Sequence, residues 1–380
     1  PQGEPVQVRT DRTVNFNWIF ALPHPELDAN CFSVAWTGSV IMPKTMDGCI
    51  GLSTQDSMRL YVDDKLLIDG WGKDKSADQA LDFHFEAGRT YKIRIEFVND
   101  RRGARVIFGY SAGWENFPAA VEAARKADVA ILCMGDNEET SGENFDRTDL
   151  NLPGRQLELV QAVYATGTPV VLVLQSGRPV TANWENDHLP AILEAWFPGE
   201  QGGTAIAKTL FGDAAPGGRL PITFPRSVGQ IPCHYSRRPG GGKRYVEMDW
   251  LPLYPFGYGL TYTTFAYRDM ALSRSVIDPQ DTVTVSVTVT NTGKYTGDAV
   301  PQLYVRDMFS SVVKPERQLA AFRRLTLAPG ESRRVELTVG PKQLRTLGPD
   351  YVWRVEPGKF ELQLGDNAEN ILLRADLTVE

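Results

Sequence analysis

The stretch TPVVLVLQSG, residues 168–177, sets five apolar residues in a row (Val170 to Leu174) between a Thr-Pro and a Ser-Gly boundary. A run this short and this uniformly apolar reads as a strand buried on both faces, the kind found in parallel sheets. DVAILCMG (128–135) and LPAILEAWF (189–197) repeat the pattern. Between and around them lie FPAAVEAARKA (117–127), GRQLELVQAVYATG (154–167) and EQGGTAIAKTLFG (200–212), which read as helices, the last two closed by glycine. Helices alternating with apolar strands predict a mainly parallel sheet in an α/β sandwich covered on both faces. In such sheets ligands sit beyond the carboxyl ends of the strands, where the loops converge.

On either side the period changes to two. In YKIRIEF (91–97), Tyr91, Ile93, Ile95 and Phe97 share one face and Lys92, Arg94 and Glu96 the other, the pattern of a half-buried antiparallel strand. FSVAWTGSVIMP (32–43) and SMRLYVDDKLLIDGW (57–71) are similar. Toward the other end TVTVSVTVTNTG (282–293) alternates Val283, Val285, Val287 and Val289 before an Asn-Thr-Gly turn, and VPQLYVRD, RRVELTV and GKFELQLGD follow at the spacing of a β-sandwich. The fold class is therefore multidomain α/β plus all-β: a β domain over 1–114, an α/β domain over 115–264 and a second β-sandwich over 265–380.

The 380 residues are enough for two or three cores, and 42% hydrophobic with 23% charged residues is a globular composition. Forty Lys and Arg against 47 Asp and Glu leave a net charge of −7, which argues against nucleic-acid or anionic-membrane partners. The run Arg237, Arg238, Lys243, Arg244 reads as a solvated loop. Cys31, Cys49, Cys133 and Cys233 have no CxxC spacing, and His24, His84, His188 and His234 have no ligand spacing, so no metal site and no cofactor is expected. GEQGGTAIAKTLFGD lacks the Gly-Lys-Ser/Thr ending of a phosphate loop, so its glycines read as close packing. No apolar run reaches the roughly 18 residues of a membrane-spanning helix.

The first apolar strand runs into EETSGENFDRTDLNLPG (138–154), where Glu138, Glu139, Glu143, Asp146 and Asp149 crowd one loop at the predicted ligand end of the sheet. An acidic loop is most often solvated surface. The chemical alternative is glycoside hydrolysis, which needs one carboxyl to protonate the leaving oxygen and a second as nucleophile or base. A Glu on such a loop can serve as the acid once substrate or a neighbouring domain buries it.

SGENFDRTDLNLPGRQLELV (141–160) resembles the acid/base segment of family 3 glycoside hydrolases, roughly Glu-Gly-x-Asp-Arg followed by Leu-Pro-x-x-Gln. The likeness continues through FPGEQGGTAIAKTLFGDAAPGGRLPITFP, YPFGYGLTYTTFAY and VTNTGKYTGDAVPQLYVRD, so residues from about 117 to 380 look like that family's second α/β domain and its fibronectin type III-like domain. The resemblance implies a retaining β-glycosidase, a β-glucosidase in the first instance, with Glu143 as general acid/base. Asn144 stands where the family mostly has Gly. Asp146 and Arg147 match the following Asp-Arg pair, expected to hold the loop by an ion pair or to meet substrate, with Glu138, Glu139 and Asp149 left as loop surface.

The N-terminal region resembles a protective-antigen-14 (PA-14) domain, a β-sandwich that several of these enzymes carry as an insert over the active-site mouth. Its loop DGWGKDKSADQ (69–79) is the expected lid, with Trp71 a candidate for stacking on a sugar. Gln55-Asp56 stands where calcium-binding versions have two aspartates, which removes one anionic ligand. In the family the nucleophilic Asp lies on a (β/α)8 barrel, and no eightfold strand–helix alternation exists here. The chain also begins at Pro1, after the insert's usual first strand and the α/β domain's opening strands. It is thus expected to be the C-terminal piece of a divided enzyme. Its partners would be a barrel-bearing piece and a β-glucoside or short oligosaccharide; homo-oligomerisation is left open. Domain company alone leans toward a secreted or periplasmic location. The competing class is a non-catalytic carbohydrate-binding or adhesion protein.

Overall fold

The computed structural model describes residues 4–18, 22–54, 56–72, 77–100, 104–111, 117–138, 140–240 and 244–380. Gln55, Lys73 to Ser76 of the expected lid, Glu139 and Lys243 lie outside the described residues. The chain divides into two compact units, Pro1–Pro118 and Ala119–Glu380.

The first unit is built from two four-stranded antiparallel sheets. One orders its strands Asn15–Asn17, Arg105–Ser111, Met46–Thr54, Ala77–Phe85; the other Phe32–Ile41, Thr90–Asn99, Ser57–Val62, Lys65–Asp69. The alternation in YKIRIEF is realised: Tyr91, Ile93, Ile95 and Phe97 are all buried. Tyr91, Ile93 and Ile95 share a core with Ile50, Leu52 and Phe85 of the facing sheet, and Phe97 packs with Val106 of that sheet, so the two sheets form a sandwich. Asp56 is 1% exposed, its N–H bound to Thr54 Oγ1 at 3.1 Å.

In the second unit a parallel sheet orders its strands Ala191–Glu194, Val170–Gln175, Ala130–Gly135. The quoted apolar run is its central strand, with Val170, Leu172, Val173 and Leu174 at 2% exposure or less. Helices Pro118–Arg125, Gln156–Tyr164 and Asn183–His188 cover one face through Ala124, Val160, Val163 and Trp184. The expectation of cover on both faces fails along Ala130–Gly135: this is an edge strand, and Ile131 is 45% exposed with Cys133 also exposed. The apolar run there reflects alternation between a helix-covered face and an open one.

The third sequence region is a sandwich of a three-stranded sheet (Phe265–Leu272, Val283–Asn291, Ser332–Val339) and a five-stranded one (Val276–Ile277, Ile371–Val379, Gly358–Gly365, Gln302–Asp307, Gln318–Phe322). Val283, Val285, Val287 and Val289 are each 0% exposed and pack against Leu303, Phe360, Leu362 and Leu364 of the opposite sheet. This sandwich is joined to the α/β region within the same unit. Gln302 Nε2 donates to Gly257 O at 2.9 Å, and a Cβ on Gly257 would lie 2.0 Å from Gln302 Oε1, so the FGYG turn requires glycine there. Arg237 adds ion pairs to Glu316 (3.1 Å) and Glu369 (2.9 Å). No helix among the described residues is long and apolar enough to cross a membrane.

Candidate active site

The acidic loop leaves the sheet at Gly135, whose φ of +138° is open essentially to glycine alone. A Cβ there would also strike Gln175 O at 2.0 Å. The loop returns at helix Gln156–Tyr164, and Gln156 ties its two ends together: Gly135 N donates to Gln156 Oε1 at 2.7 Å and Gln156 Nε2 donates to Gly135 O at 2.8 Å. The Leu-Pro-x-x-Gln run thus has a mechanical meaning, an amide side chain that closes the loop like a pair of backbone hydrogen bonds.

Inside that closure lies Asp136, whose side chain is only 3% exposed. It accepts from Thr140 Oγ1 at 3.0 Å and Arg147 Nη1 at 3.3 Å, and Arg178 Nε lies 3.5 Å away. Arg147 also reaches Asn151 O at 3.1 Å and Asp149 at 3.4 Å, and Arg178 reaches Thr140 O at 3.3 Å. The expected ion pair between Asp146 and Arg147 is not formed: Arg147 turns inward to the buried Asp136, while Asp146 is exposed. A buried carboxylate left without a counter-charge is costly, whereas the exposed Asp146 is solvated by water, so the guanidinium goes to Asp136. Asp149, expected as mere surface, also caps Asn151 N at 2.9 Å.

Glu143 sits at the exposed tip of this framework, on a turn in which Phe145 N donates to Gly142 O at 3.2 Å. Asn144 adopts φ +65°, the left-handed conformation that explains the family's glycine and that Asn tolerates. Phe145 folds back so that a Cβ on Gly142 would lie 3.0 Å from its ring. The arrangement is a carboxyl held out from a rigid base, suited to reaching a substrate supplied from outside the loop. Trp71 belongs to the first unit; it is half-buried outside the core clusters, with the Arg59 guanidinium 4.6 Å from its ring centroid. A cavity of about 280 Å³ lies elsewhere, lined by residues such as Tyr235, Arg237, Trp250 and Phe256 and by none from the 136–156 loop. No cluster of metal-ligating side chains occurs among the described residues.

Two acidic residues at this sheet end were missed by sequence reasoning. Asp136 precedes the acidic segment 138–154 and belongs to no motif. Glu194, inside the apolar run AILEAWF, ends strand Ala191–Glu194; burial pushes its carboxyl up to about 7, only partly opposed by the Trp196 N–H it accepts at 2.9 Å. Its signal was a lone charge inside an otherwise apolar strand.

Replacing Asp136 by Asn should leave two arginines facing each other without their buried counter-charge. A loss of roughly 3 kcal/mol in urea unfolding is expected, with new protease cleavage within 137–155. For Glu194 the folded pKa lies above the unfolded one, so its contribution to stability is complete below about pH 4.5 and is lost as pH rises toward 7. At most roughly 3 kcal/mol is involved. Unfolding midpoints measured from pH 4.5 to 8 should therefore fall less steeply in Glu194→Gln than in the parent.

Comparison with known proteins gives the family of the chain. Residues 28–262 match the glycosyl hydrolase family 3 C-terminal domain, and residues 299–368 a fibronectin type III-like domain. A protein named beta-xylosidase from Formosa agariphila is 45% identical over 302 residues, covering 76% of this chain and 42% of that protein. A beta-glucosidase from Rhizobium radiobacter is 34% identical over 412 residues, covering 100% of this chain and 50% of that protein. The crystal structure of beta-glucosidase from Kluyveromyces marxianus in complex with glucose superposes with a TM-score of 0.77 at 28% identity, over 99% of this chain and 48% of that one. The chain spans half or less of the length of these relatives. It belongs to glycosyl hydrolase family 3, as a C-terminal portion with a fibronectin type III-like domain.

Proposed function

We propose that this chain supplies the acid/base half of a retaining β-glycosidase that removes terminal non-reducing β-D-glucosyl residues, with Glu143 as the general acid/base. The observation that carries the reading is the presentation of Glu143: an exposed carboxyl on a turn at the carboxyl end of a parallel sheet, above the Asp136–Arg147–Arg178 cluster. The family membership and the beta-glucosidase names among the relatives support the substrate class. The nucleophile is an Asp on a barrel-bearing portion, a reading supported by the half of the relatives' length that this chain does not span. We also infer a three-part division near 1–114, 115–264 and 265–380, the first part a PA-14-like sandwich, as its two antiparallel sheets suggest.

In the first step the Asp carboxylate attacks the anomeric carbon while Glu143 gives its proton to the departing glycosidic oxygen, leaving a glycosyl ester and ionised Glu143. In the second, Glu143 takes a proton from water as that water attacks the anomeric carbon, freeing the Asp and restoring the acid. Retention sets the two carboxyls about 5 to 5.5 Å apart. A loop that projects its carboxyl from a braced base meets that demand, because the distance is fixed by the framework and not by a flexible strap. Asp146, exposed three residues on, is left to meet substrate or the barrel, and Trp71 to stack on a sugar from the PA-14-like part.

Glu143→Gln in the complete enzyme should lower kcat for a β-glucoside with a poor leaving group by about 10² to 10⁴-fold. Azide should restore turnover of Glu143→Ala with an activated aryl glucoside, yielding the glucosyl azide. Unchanged turnover in Glu143→Gln would remove this residue from the mechanism.

A further inference from the structure

Glu194 stands in register with Leu174 of the central strand, at the sheet end from which the Glu143 loop departs. Its Oε1 accepts the N–H of Trp196, while its Oε2 is buried and accepts no hydrogen bond from the described residues. Trp196 takes φ +54°, which a bulky residue adopts only when its surroundings compel it. The compulsion is visible on both sides: the carboxyl of Glu194 holds its N–H, and its ring meets Phe224 edge-on at 5.8 Å. The reversal turns the next residue, Phe197, outward to 55% exposure.

Phe197 is not loose surface. A methyl group on Gly177 would lie 2.9 Å from its ring and 3.5 Å from Ser141 Oγ, so ring, Gly177 and Ser141 are immediate neighbours. Ser141 is two residues before Glu143. Phe145, 36% exposed, flanks the same turn. A solvent-exposed aromatic ring held by a left-handed residue and a buried carboxyl is locally unfavourable on three counts, the pattern expected where function sets the geometry.

We propose that Phe197 is a specificity-determining contact for the leaving-group side of the glycoside, and that Glu194 is the positioning residue that holds it there. The inference rests on the assignment of Glu143. A general acid must reach the glycosidic oxygen, so the aglycone departs beside Glu143, and a ring fixed against Ser141 meets it there. The class of ligand is an aglycone with a flat or apolar face, an aryl group or a second sugar ring, which an aromatic side chain covers well. A methyl aglycone is too small to gain from it.

The test is steady-state kinetics of the complete enzyme with nitrophenyl and methyl β-glucosides. Phe197→Ala should raise KM for the nitrophenyl substrate by about fivefold, a typical loss for one aromatic contact, with KM for the methyl substrate within about twofold of the parent. Gly177→Ala should act in the same direction, since its added methyl meets a ring that can swing away, and the fold survives. Glu194→Ala should share the pattern, while Glu194→Gln, which keeps an acceptor for the Trp196 N–H, restores it. Equal changes on both substrates, no change on the nitrophenyl substrate, or a Gln variant as impaired as the Ala variant would overturn the inference. Loss of turnover in Glu143→Gln alongside such a result would leave the acid/base assignment standing and remove only the roles of Phe197 and Glu194.

Discussion

The site depends on one buried carboxylate. Asp136, first residue after the edge strand, has a side chain only 3% exposed and is reached by Arg147 from the far side of the acidic loop and by Arg178 from the loop after the central strand. Burying a charge is costly unless it is paired and hydrogen-bonded, and Thr140 supplies the hydrogen bond. Such a cluster contributes modestly to net stability but discriminates strongly among loop conformations, because any arrangement that separates the three charges strands a buried carboxylate. Together with the Gln156 clamp on Gly135 it sets where the loop starts, crosses and ends, and so where Glu143 is held.

This division of labour separates chemistry from support. Glu143 is exposed and free to be desolvated by whatever binds against it, which is how a carboxyl is turned into a proton donor near neutral pH. The turn that carries it is braced from beneath by the Asp136–Arg147–Arg178 cluster and the Gln156 clamp. The strained, left-handed positions Asn144 and Trp196 lie at this same end of the sheet, where local conformational cost is offset by packing and hydrogen bonds beneath.

The sequence made the frame legible where periodicity was unambiguous. The four alternating valines of Val283–Asn291 led directly to a strand because only a strand has a period of two, and the apolar run of Val170–Gln175 did so because it is short, rich in valine and bounded by Thr-Pro and Ser-Gly. Ala130–Gly135 misled because an edge strand with one covered face can still be apolar throughout. The site was legible as a motif but not as a mechanism of support. Asp146 and Arg147 match the family's Asp-Arg pair, which suggested an ion pair, yet Arg147 reaches the buried Asp136 eleven positions away. Arg178 follows the central strand Val170–Gln175 and Glu194 ends its neighbour Ala191–Glu194, and only the register of the parallel sheet brings them to the same end.

The central claim is that Glu143 serves both steps, as acid and then as base. It is tested most directly by stopped-flow mixing of the complete enzyme carrying Glu143→Ala with 2,4-dinitrophenyl β-glucoside, whose leaving group needs no proton. The account predicts a burst of dinitrophenolate equal to the enzyme concentration, followed by slow turnover, with a glucosyl ester detectable by intact mass. A linear trace without burst or adduct, at the parent's steady-state rate, would contradict it.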